Sequence, residues 1–214
     1  MDAIRLTMLD FQLQHRGTVR QPEETVAALC ASQEAHSELM QLVGVLRDRV
    51  GHATEIYPVP EWPLALHRRY TRRELLVAVG YVSAGEKGST PQGGILQLKE
   101  SKRELLLVTL DKSSRSFSPS TRYRDYAISR ELFHWETQSA ASVGKESGRR
   151  YIESPGNGWS FYLFVRETTE DAYAFLGPAV YERHEGDRPI GIVWRLEQPM
   201  AAELCDRFAT LSSG

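Results

Sequence analysis

Apolar residues early in the chain recur at three- and four-residue steps, which is the spacing of an amphipathic helix. The pattern covers residues 24–50, and an interruption around Ser32 predicts one break within it. Arg47 and Arg49 followed by Gly51 form the cation-then-glycine signal that ends a helix. The apolar positions of the pattern are Val26, Leu29, Cys30, Leu39, Leu42, Val43 and Leu46.

A proline-rich stretch separates this helical part from the rest of the chain. Three prolines fall within Tyr57–Pro63, and neither a helix nor a central strand accommodates them. We therefore predict an extended linker at this point. It divides the chain into an acidic helical segment with the linker, residues 1–61, and a second domain, residues 62–214.

Beyond the linker, Thr71 and Glu74 form a capping box, which opens a short helix that Gly80 closes. From about residue 94 the apolar spacing changes to two, or to short continuous runs, as in strands. The predicted strands are 94–98, 104–110, 159–165, 173–175, 179–182 and 190–196, and a last helix runs from 200 to about 211. Short strands between turn signals predict an α+β fold, a partly closed antiparallel β-barrel with flanking short helices.

The net charge of −2 conceals a strong asymmetry along the chain. Residues 1–61 carry a net charge of −4, residues 62–150 carry +7, and residues 151–214 carry −5. The basic middle of the chain is the part suited to a polyanion such as nucleic acid. The acidic flanks would confine its positive potential to one face.

Signals for several other classes of protein are missing from the sequence. No apolar run approaches the roughly 18 residues that cross a bilayer, and we expect no secretion signal at the N-terminus. Cys30 and Cys205 are too few for a disulfide framework or a thiolate zinc site. We therefore expect a cytoplasmic protein with no membrane partner, no metal ion and no cofactor.

The segment from Asp111 to Tyr151 loses regular periodicity and combines aromatic rings with eight Lys or Arg residues and many hydroxyls. A long irregular segment in a compact domain is normally functional or disordered, and disordered chains are poor in aromatic residues. Cations neutralise phosphates and rings stack on exposed bases, so this composition favours a nucleic-acid ligand.

Several strings in and around this segment resemble the family of domains called DUF3427, over about residues 62–200. The strings are YRDYAIS (123–129), LFHW (132–135), QS (138–139), GRRYI (148–152), LVTLDKS (107–113), FSP (117–119), LFVRE (163–167), FLGP (175–178), HEGDRPI (184–190) and the run 192–196. Domains of this family typically lie at the C-terminal end of bacterial superfamily II helicases, often with a phospholipase-D-like nuclease domain upstream. The resemblance implies a DNA-processing or phage-defence setting, with helicase or nuclease domains as partners in cis or in trans, and no particular activity.

The chain lacks a Walker A loop and an HxK nuclease motif, so we interpret it as a DNA-binding module of a helicase–nuclease rather than an enzyme. The predicted outline is similar to the small PUA and SRA barrels, which hold an extruded base, and this suggests modified or non-duplex DNA as the target. No residue is predicted to be catalytic. The residues predicted to bind nucleic acid are Arg68, Arg69, Lys112, Arg115, Arg122, Tyr123, Tyr126, His134, Trp135, Gln138, Arg149, Arg150 and Arg188.

Some of these residues also have a simple structural interpretation. Trp135 can equally be a core tryptophan. A histidine such as His134 is more often a hydrogen-bonded structural residue than a catalytic one. Arg188 lies in a Gly-Asp-Arg-Pro sequence that is typical of a polar turn between two strands.

Two other functions stay open. In the first, the acidic helical segment binds another protein, and the chain is an adaptor or regulatory domain without direct nucleic-acid contact. In the second, Glu100, Glu104 and the Asp111-Lys112 pair belong to a metal-dependent nuclease. Adjacent residues on a strand point to opposite faces, which weighs against the pair sharing one site.

Overall fold

The computed structural model describes residues 2–14, 18–49, 55–86, 93–111, 124–138, 140–154 and 156–210. The chain forms two compact units. The first unit comprises Met1–Ala65 and Tyr70–Thr90, and the second comprises Leu66–Arg69 and Pro91–Gly214. The domain boundary predicted at residue 62 stays a prediction.

The described part of the first unit contains four helices. These are α1 (Asp2–Leu13), α2 (Pro22–Cys30), α3 (Gln33–Arg49) and α4 (Arg72–Ala78). The helical pattern over 24–50 is broken where the sequence predicted it, between Cys30 and Gln33. The capping box of α4 is also confirmed, because the Thr71 hydroxyl accepts from the Glu74 N–H and the Thr71 N–H donates to the Glu74 carboxylate at 2.7 Å. No helix in the described part of the chain is long and apolar enough to cross a membrane.

Arg73 joins α4 to the C-terminal end of α1. Its guanidinium carbon lies 4.0 Å from the centre of the Phe11 ring, and its Nε donates to the Phe11 carbonyl at 2.7 Å. A second nitrogen of Arg73 donates to the Gln14 carbonyl. The last carbonyls of a helix have no partner within the helix, so Arg73 caps α1 while its stem covers the apolar ring.

Eight strands of the described residues form one sheet, and all of them except Tyr70 of β1 belong to the second unit. They are β1 (Arg69–Tyr70), β2 (Ile95–Leu98), β3 (Arg103–Thr109), β4 (Tyr126–Ala127), β5 (Leu132–Glu136), β6 (Ser160–Arg166), β7 (Tyr173–Glu185) and β8 (Gly191–Leu196). The strand order is β2-β3-β6-β7-β8-β5-β4, and β1 pairs with β7 beside this path. β3 and β6 are parallel, and the other pairs along the path are antiparallel. Two helices accompany the sheet, α5 (Glu146–Ile152) and α6 (Ala202–Thr210).

The fold is therefore a mixed α and β fold with a mostly antiparallel sheet, as the sequence predicted. In the described residues the path ends at β2 on one side and β4 on the other, so closure into a barrel is not confirmed. The parallel contact between β3 and β6 was not predicted. Parallel strands need a long crossover connection, and residues 110–159 supply it, carrying β4 and β5 to the opposite edge of the sheet.

β7 is longer than its sequence pattern indicated. The segments 173–175 and 179–182 are parts of one strand, which continues through Gly177 and Pro178. Gly177 has a φ of 91°, and the pairing register with β6 shifts between Leu163 and Phe164, opposite this glycine. A bulge thus accommodates a Gly-Pro pair that the sequence analysis placed between two strands.

One face of the sheet packs against α5 and α6 to form the largest part of the core. Rings from the sheet and α5 contact one another with centroids 4.8–6.4 Å apart, in tilted and edge-on arrangements. These rings belong to Trp135, Tyr151, Phe161 and Trp194. Leu204 and Phe208, four residues apart on α6, add their side chains to the same cluster.

Gly148 allows α5 to lie close to the segment that precedes it. A Cβ atom at this position would lie 2.1 Å from the Ser142 carbonyl oxygen and 2.8 Å from Ile190 Cδ1. A backbone carbonyl cannot move aside as the end of a flexible side chain can. The present position of α5 therefore requires glycine at 148.

We expect Gly148→Ala to lower the free energy of unfolding by about 1–3 kcal/mol, because the added methyl group meets the backbone and displaces α5. Gly144→Ala is the matched control, since its Cβ would meet only Ser142 Oγ, at 4.0 Å. The control should change stability by no more than about 0.5 kcal/mol. Urea unfolding followed by tryptophan fluorescence measures both variants, and equal stabilities would contradict the close approach of α5.

Candidate functional site

Three segments of the second unit meet around Ile190, immediately before β8. The Thr137 N–H donates to the Ile190 carbonyl, and the Thr137 hydroxyl accepts from the Ile190 N–H, both at 3.0 Å. Both residues are fully buried. Gly148 of α5 packs against the Ile190 side chain. Backbone and core contacts therefore hold together three segments, namely the end of β5, the β7–β8 turn and α5.

Asp187 ties the β7–β8 turn to the loop before α5. Its Oδ1 accepts from the Val143 N–H at 2.6 Å. This backbone donor, followed by the Ser142 hydroxyl, holds the pKa of the Asp187 carboxyl below its usual value, and the charges of Arg188 and Lys145 act in the same direction. The carboxylate therefore stays ionised and keeps its partners within the protein.

Exposed polar side chains extend from these ordered segments and form what we call the junction surface. It consists of Gln138, Lys145, Arg149 and Arg188. Gln138 directly follows Thr137, and Arg188 precedes Ile190 by two residues. Lys145 is the N-cap residue of α5, and Arg149 lies about one turn further on, in its last turn. Three of the predicted residues thus lie within two residues of a contact around Ile190, and Lys145, which was not predicted, acts with Arg188 on the Asp187 carboxyl.

Arg150, in contrast to its neighbour Arg149, points into the protein. Its Nε lies 2.9 Å from Glu104 Oε2, and its side chain is only 15% exposed. The guanidinium carbon lies 5.1 Å from the centre of the Tyr151 ring and 5.2 Å from that of Trp159. We predicted a phosphate contact for Arg150, but the structure places it in a buried ion pair, so it is not part of the junction surface.

Glu104 is the centre of this buried cluster. It is fully buried in β3, and the Tyr151 hydroxyl donates to its Oε1 at 2.5 Å. Burial raises the pKa of the Glu104 carboxyl above its usual value, although the Tyr151 hydrogen bond and the Arg150 charge oppose the rise. Both carboxylate oxygens have partners within the protein, so the cluster fastens α5 to β3.

Glu104 was also a candidate ligand in the nuclease interpretation, together with Glu100 and Asp111. Glu100 lies in the exposed turn between β2 and β3, whereas Asp111 follows the far end of β3. At about 3.3 Å per residue, Glu104 and Asp111 are roughly 20 Å apart along the strand, so these carboxylates do not converge. Within the described ranges, no group of three His, Cys, Asp or Glu is placed to hold a metal ion.

Trp135 lies in the core beneath α5. It is 5% exposed, and its ring stands edge-on to the Tyr151 ring, with the two centroids 5.2 Å apart. The centroid of the Trp194 ring lies 6.4 Å from that of Trp135. A base cannot stack on a ring that other side chains already cover. Of the two interpretations of Trp135, the structure matches the core tryptophan, and we leave it out of the junction surface.

Tyr126 and His134 are opposite each other on β4 and β5, on the other face of the sheet from Trp135. Their rings stack with centroids 4.8 Å apart and an interplanar angle of 18°. His134 is buried, and its Nδ1 lies 2.7 Å from the Arg124 carbonyl, which suits a ring hydrogen on Nδ1. A Cβ at Gly191 would lie 2.9 Å from His134 Nε2, so this glycine makes room for the imidazole. His134 thus supports the half-exposed Tyr126 ring from behind.

Arg68 and Arg69 lie beside the first residues of β7, at the opposite end of that strand from the junction surface. The Arg68 carbonyl accepts from the Phe175 N–H at 3.0 Å. Arg69 Nη2 lies 3.2 Å from Glu167 Oε1, and its Nη1 donates to the Ala172 carbonyl at 3.3 Å. The geometry therefore does not bring these two arginines to the junction surface, and their phosphate contacts stay predictions.

The remaining predicted residues fall in a part of the chain on which the structure gives no information. Lys112, Arg115, Arg122 and Tyr123 lie outside the described residues. Conversely, the sequence analysis missed Thr137 and Asp187, which hold the junction together. No local pattern marks Thr137, because its partner Ile190 is 53 residues away.

A comparison with protein-family models identifies the family of this chain. A model with the description "Domain of unknown function (DUF3427)" matches residues 64–208. The match covers more than half of the chain, and the chain belongs to the DUF3427 family. The matched range contains both the junction surface and the buried Glu104 cluster. A search of curated proteins finds no match to this chain.

Tyr151→Phe removes the hydroxyl that donates to the buried Glu104 carboxylate. We expect the free energy of unfolding to fall by about 1–3 kcal/mol, because a buried acceptor loses its donor. Tyr126→Phe is the control, because its ring is half-exposed and water can replace the hydroxyl, so a change within about 0.5 kcal/mol is expected. The loss from Tyr151→Phe should shrink in a Glu104→Gln background, and an equal loss in both backgrounds would contradict the coupling.

Proposed function

We propose that this DUF3427 domain is a DNA-binding module without catalytic activity of its own, and that its junction surface contacts DNA phosphates. The observation that carries this proposal is that Lys145, Arg149 and Arg188 are all exposed on segments that meet around the buried contact between Thr137 and Ile190. These cations come from two segments that are distant in the chain, and the fold brings those segments together.

The cations of the junction surface extend from ordered backbone, which favours binding to a polyanion. Lys145 is the N-cap residue of α5 and Arg149 lies within the helix, and Gly148 and the Glu104 cluster hold this helix in place. Arg188 belongs to the turn that Asp187 ties to the loop before α5. Less backbone freedom is lost on binding when the contacting segments are already ordered. Each phosphate contact also releases counterions from DNA, so the affinity should fall steeply with salt.

Gln138 and Tyr126 are our candidates for contacts with bases. The Gln138 amide presents a donor and an acceptor side by side, the pairing that suits the edge of adenine. Tyr126 presents a half-exposed ring supported by His134, and such a ring can stack with an unpaired base. These features support a modified or non-duplex base as the target, read in the manner of PUA and SRA domains that hold an extruded base.

The family setting supports a partner that processes DNA. Because DUF3427 domains typically accompany superfamily II helicases and nuclease domains, we propose that the module directs or regulates such an enzyme in cis or in trans. DNA processing or phage defence in the bacterial cytoplasm is the corresponding biological setting. This part of the proposal rests on the family alone, whereas the phosphate contacts rest on the geometry.

A protein–protein adaptor is the second candidate function. The observation that favours it is the exposed apolar surface of α3 in the first unit, where Met40, Leu42 and Val43 are all exposed. In this alternative the cations of the junction surface are only a solvated face, and the chain does not bind DNA.

We expect fluorescence anisotropy to show salt-dependent binding of the chain to labelled DNA, with single-stranded, duplex and base-modified probes tested in parallel. Arg149→Ala/Arg188→Ala should weaken binding to every probe. It should also reduce the slope of log affinity against log salt by about two, one for each lost phosphate contact. The probe that binds most tightly identifies the target.

Arg195→Ala/Arg207→Ala is the matched control for this experiment. It removes the same charge from residues that pair with Glu182 and Glu167, away from the junction surface. We expect its affinity and salt slope to equal those of the unmodified chain. No binding to any probe at low salt would contradict the proposal and favour the adaptor. Shortened DNA on a gel in the presence of Mg²⁺ would contradict the absence of catalytic activity.

A further inference from the structure

α3 carries several exposed apolar side chains in its second half. Of the α3 side chains that the structure describes, Leu39 is half-buried and the others are exposed. Met40, Leu42 and Val43 are 56%, 54% and 46% exposed. Neighbouring large apolar side chains on the surface of one helix mark an interaction surface.

The helical spacing places Leu42 and Val43 on one side of α3, three and four residues after Leu39. Leu46 continues the same side in the sequence, four residues after Leu42 and three after Val43. A narrow apolar stripe of this kind is typical of a helix that pairs with another helix. The opposite side of α3 carries Ser37, Gln41 and Gly44.

The charges of α3 are divided between its two halves. Glu34 and Glu38 stand in the first half, whereas Arg47 and Arg49 stand in the last turn, with Asp48 between them. Two copies of α3 paired in the same direction would bring acid beside acid and base beside base. Two antiparallel copies would bring the acidic half of each beside the basic half of the other, which is the favourable arrangement.

We propose that this face is an interface between two copies of the chain, with α3 of one copy packed antiparallel against α3 of the other. A twofold axis level with the point between Leu42 and Val43 would place position 39 of one copy level with position 46 of the other, and position 38 level with position 47. The 17 residues of α3 span about 25 Å, so one pair of these helices buries less surface than the roughly 1,200–2,000 Å² buried in stable complexes. We therefore expect a reversible dimer that forms at micromolar concentration. This inference is independent of the proposed DNA contacts.

Sedimentation velocity of the whole chain tests the dimer over a range of concentrations. We expect a concentration-dependent equilibrium between monomer and dimer that Leu42→Lys shifts to monomer, because the charge enters the apolar stripe. Gln41→Lys is the matched control, one residue away on the opposite side of the helix, and should leave the dimer intact. Circular dichroism establishes that both variants keep their helices. A chain that stays monomeric at every concentration, or a dimer that survives Leu42→Lys, would overturn the proposal.

Charge reversal tests the antiparallel direction. Glu34→Lys/Glu38→Lys should raise the dimer dissociation constant by about tenfold or more at low salt, because each copy then meets like charge at both ends of α3. Adding Arg47→Glu/Arg49→Glu to the same chain should restore the original dissociation constant, since the complementary pattern returns with reversed signs. Failure of this second pair to restore the dimer of a folded chain would overturn the antiparallel arrangement.

Discussion

The carboxylate of Glu104, buried in β3, determines which side chains of α5 face the interior and which stay exposed. Removing an ionisable carboxyl from water is costly unless donors surround it, and Glu104 finds its donors in Tyr151 and Arg150 of α5. Successive residues on a helix are rotated by about 100°, so an inward Arg150 leaves Arg149 on the outside. The direction of the exposed cation in the junction surface is thus set by a buried ion pair that takes no part in binding.

The crossover between the parallel strands β3 and β6 assembles the rest of the junction surface. This connection contains β4, β5 and α5, and its parts return to the end of β7 and the start of β8. From within the crossover, Thr137 bonds to the Ile190 backbone, and Gly148 packs against the Ile190 side chain. Because such contacts tolerate little displacement, the segments that carry Gln138, Arg149 and Arg188 are held against one another.

The two proposed surfaces lie in different units and depend on different forces. As proposed, the junction surface would attract phosphates through charge, which salt screens over about 10 Å at 0.1 M. The apolar stripe of α3 associates mainly by removing hydrocarbon from water, an effect that ordinary salt concentrations change little. The ionic strength therefore acts on DNA binding far more strongly than on the apolar part of the dimer, so the two activities can be separated in one preparation.

The sequence alone determined the helices α2, α3, α4 and α6, the strands β2, β3, β6 and β8, both parts of β7, and the family, because periodicity, capping and family strings belong to neighbouring residues. It also located the basic character of the chain in its middle. It did not predict α1, α5, β1, β4 or β5. It could not distinguish Arg149 from Arg150, which are adjacent and chemically identical, because the difference depends on a glutamate in another strand. In the same way, the burial of Trp135 and the single strand through Gly177 depend on partners far along the chain. Only the tertiary structure decided which polar side chains face solvent together, since exposure results from contacts between distant segments.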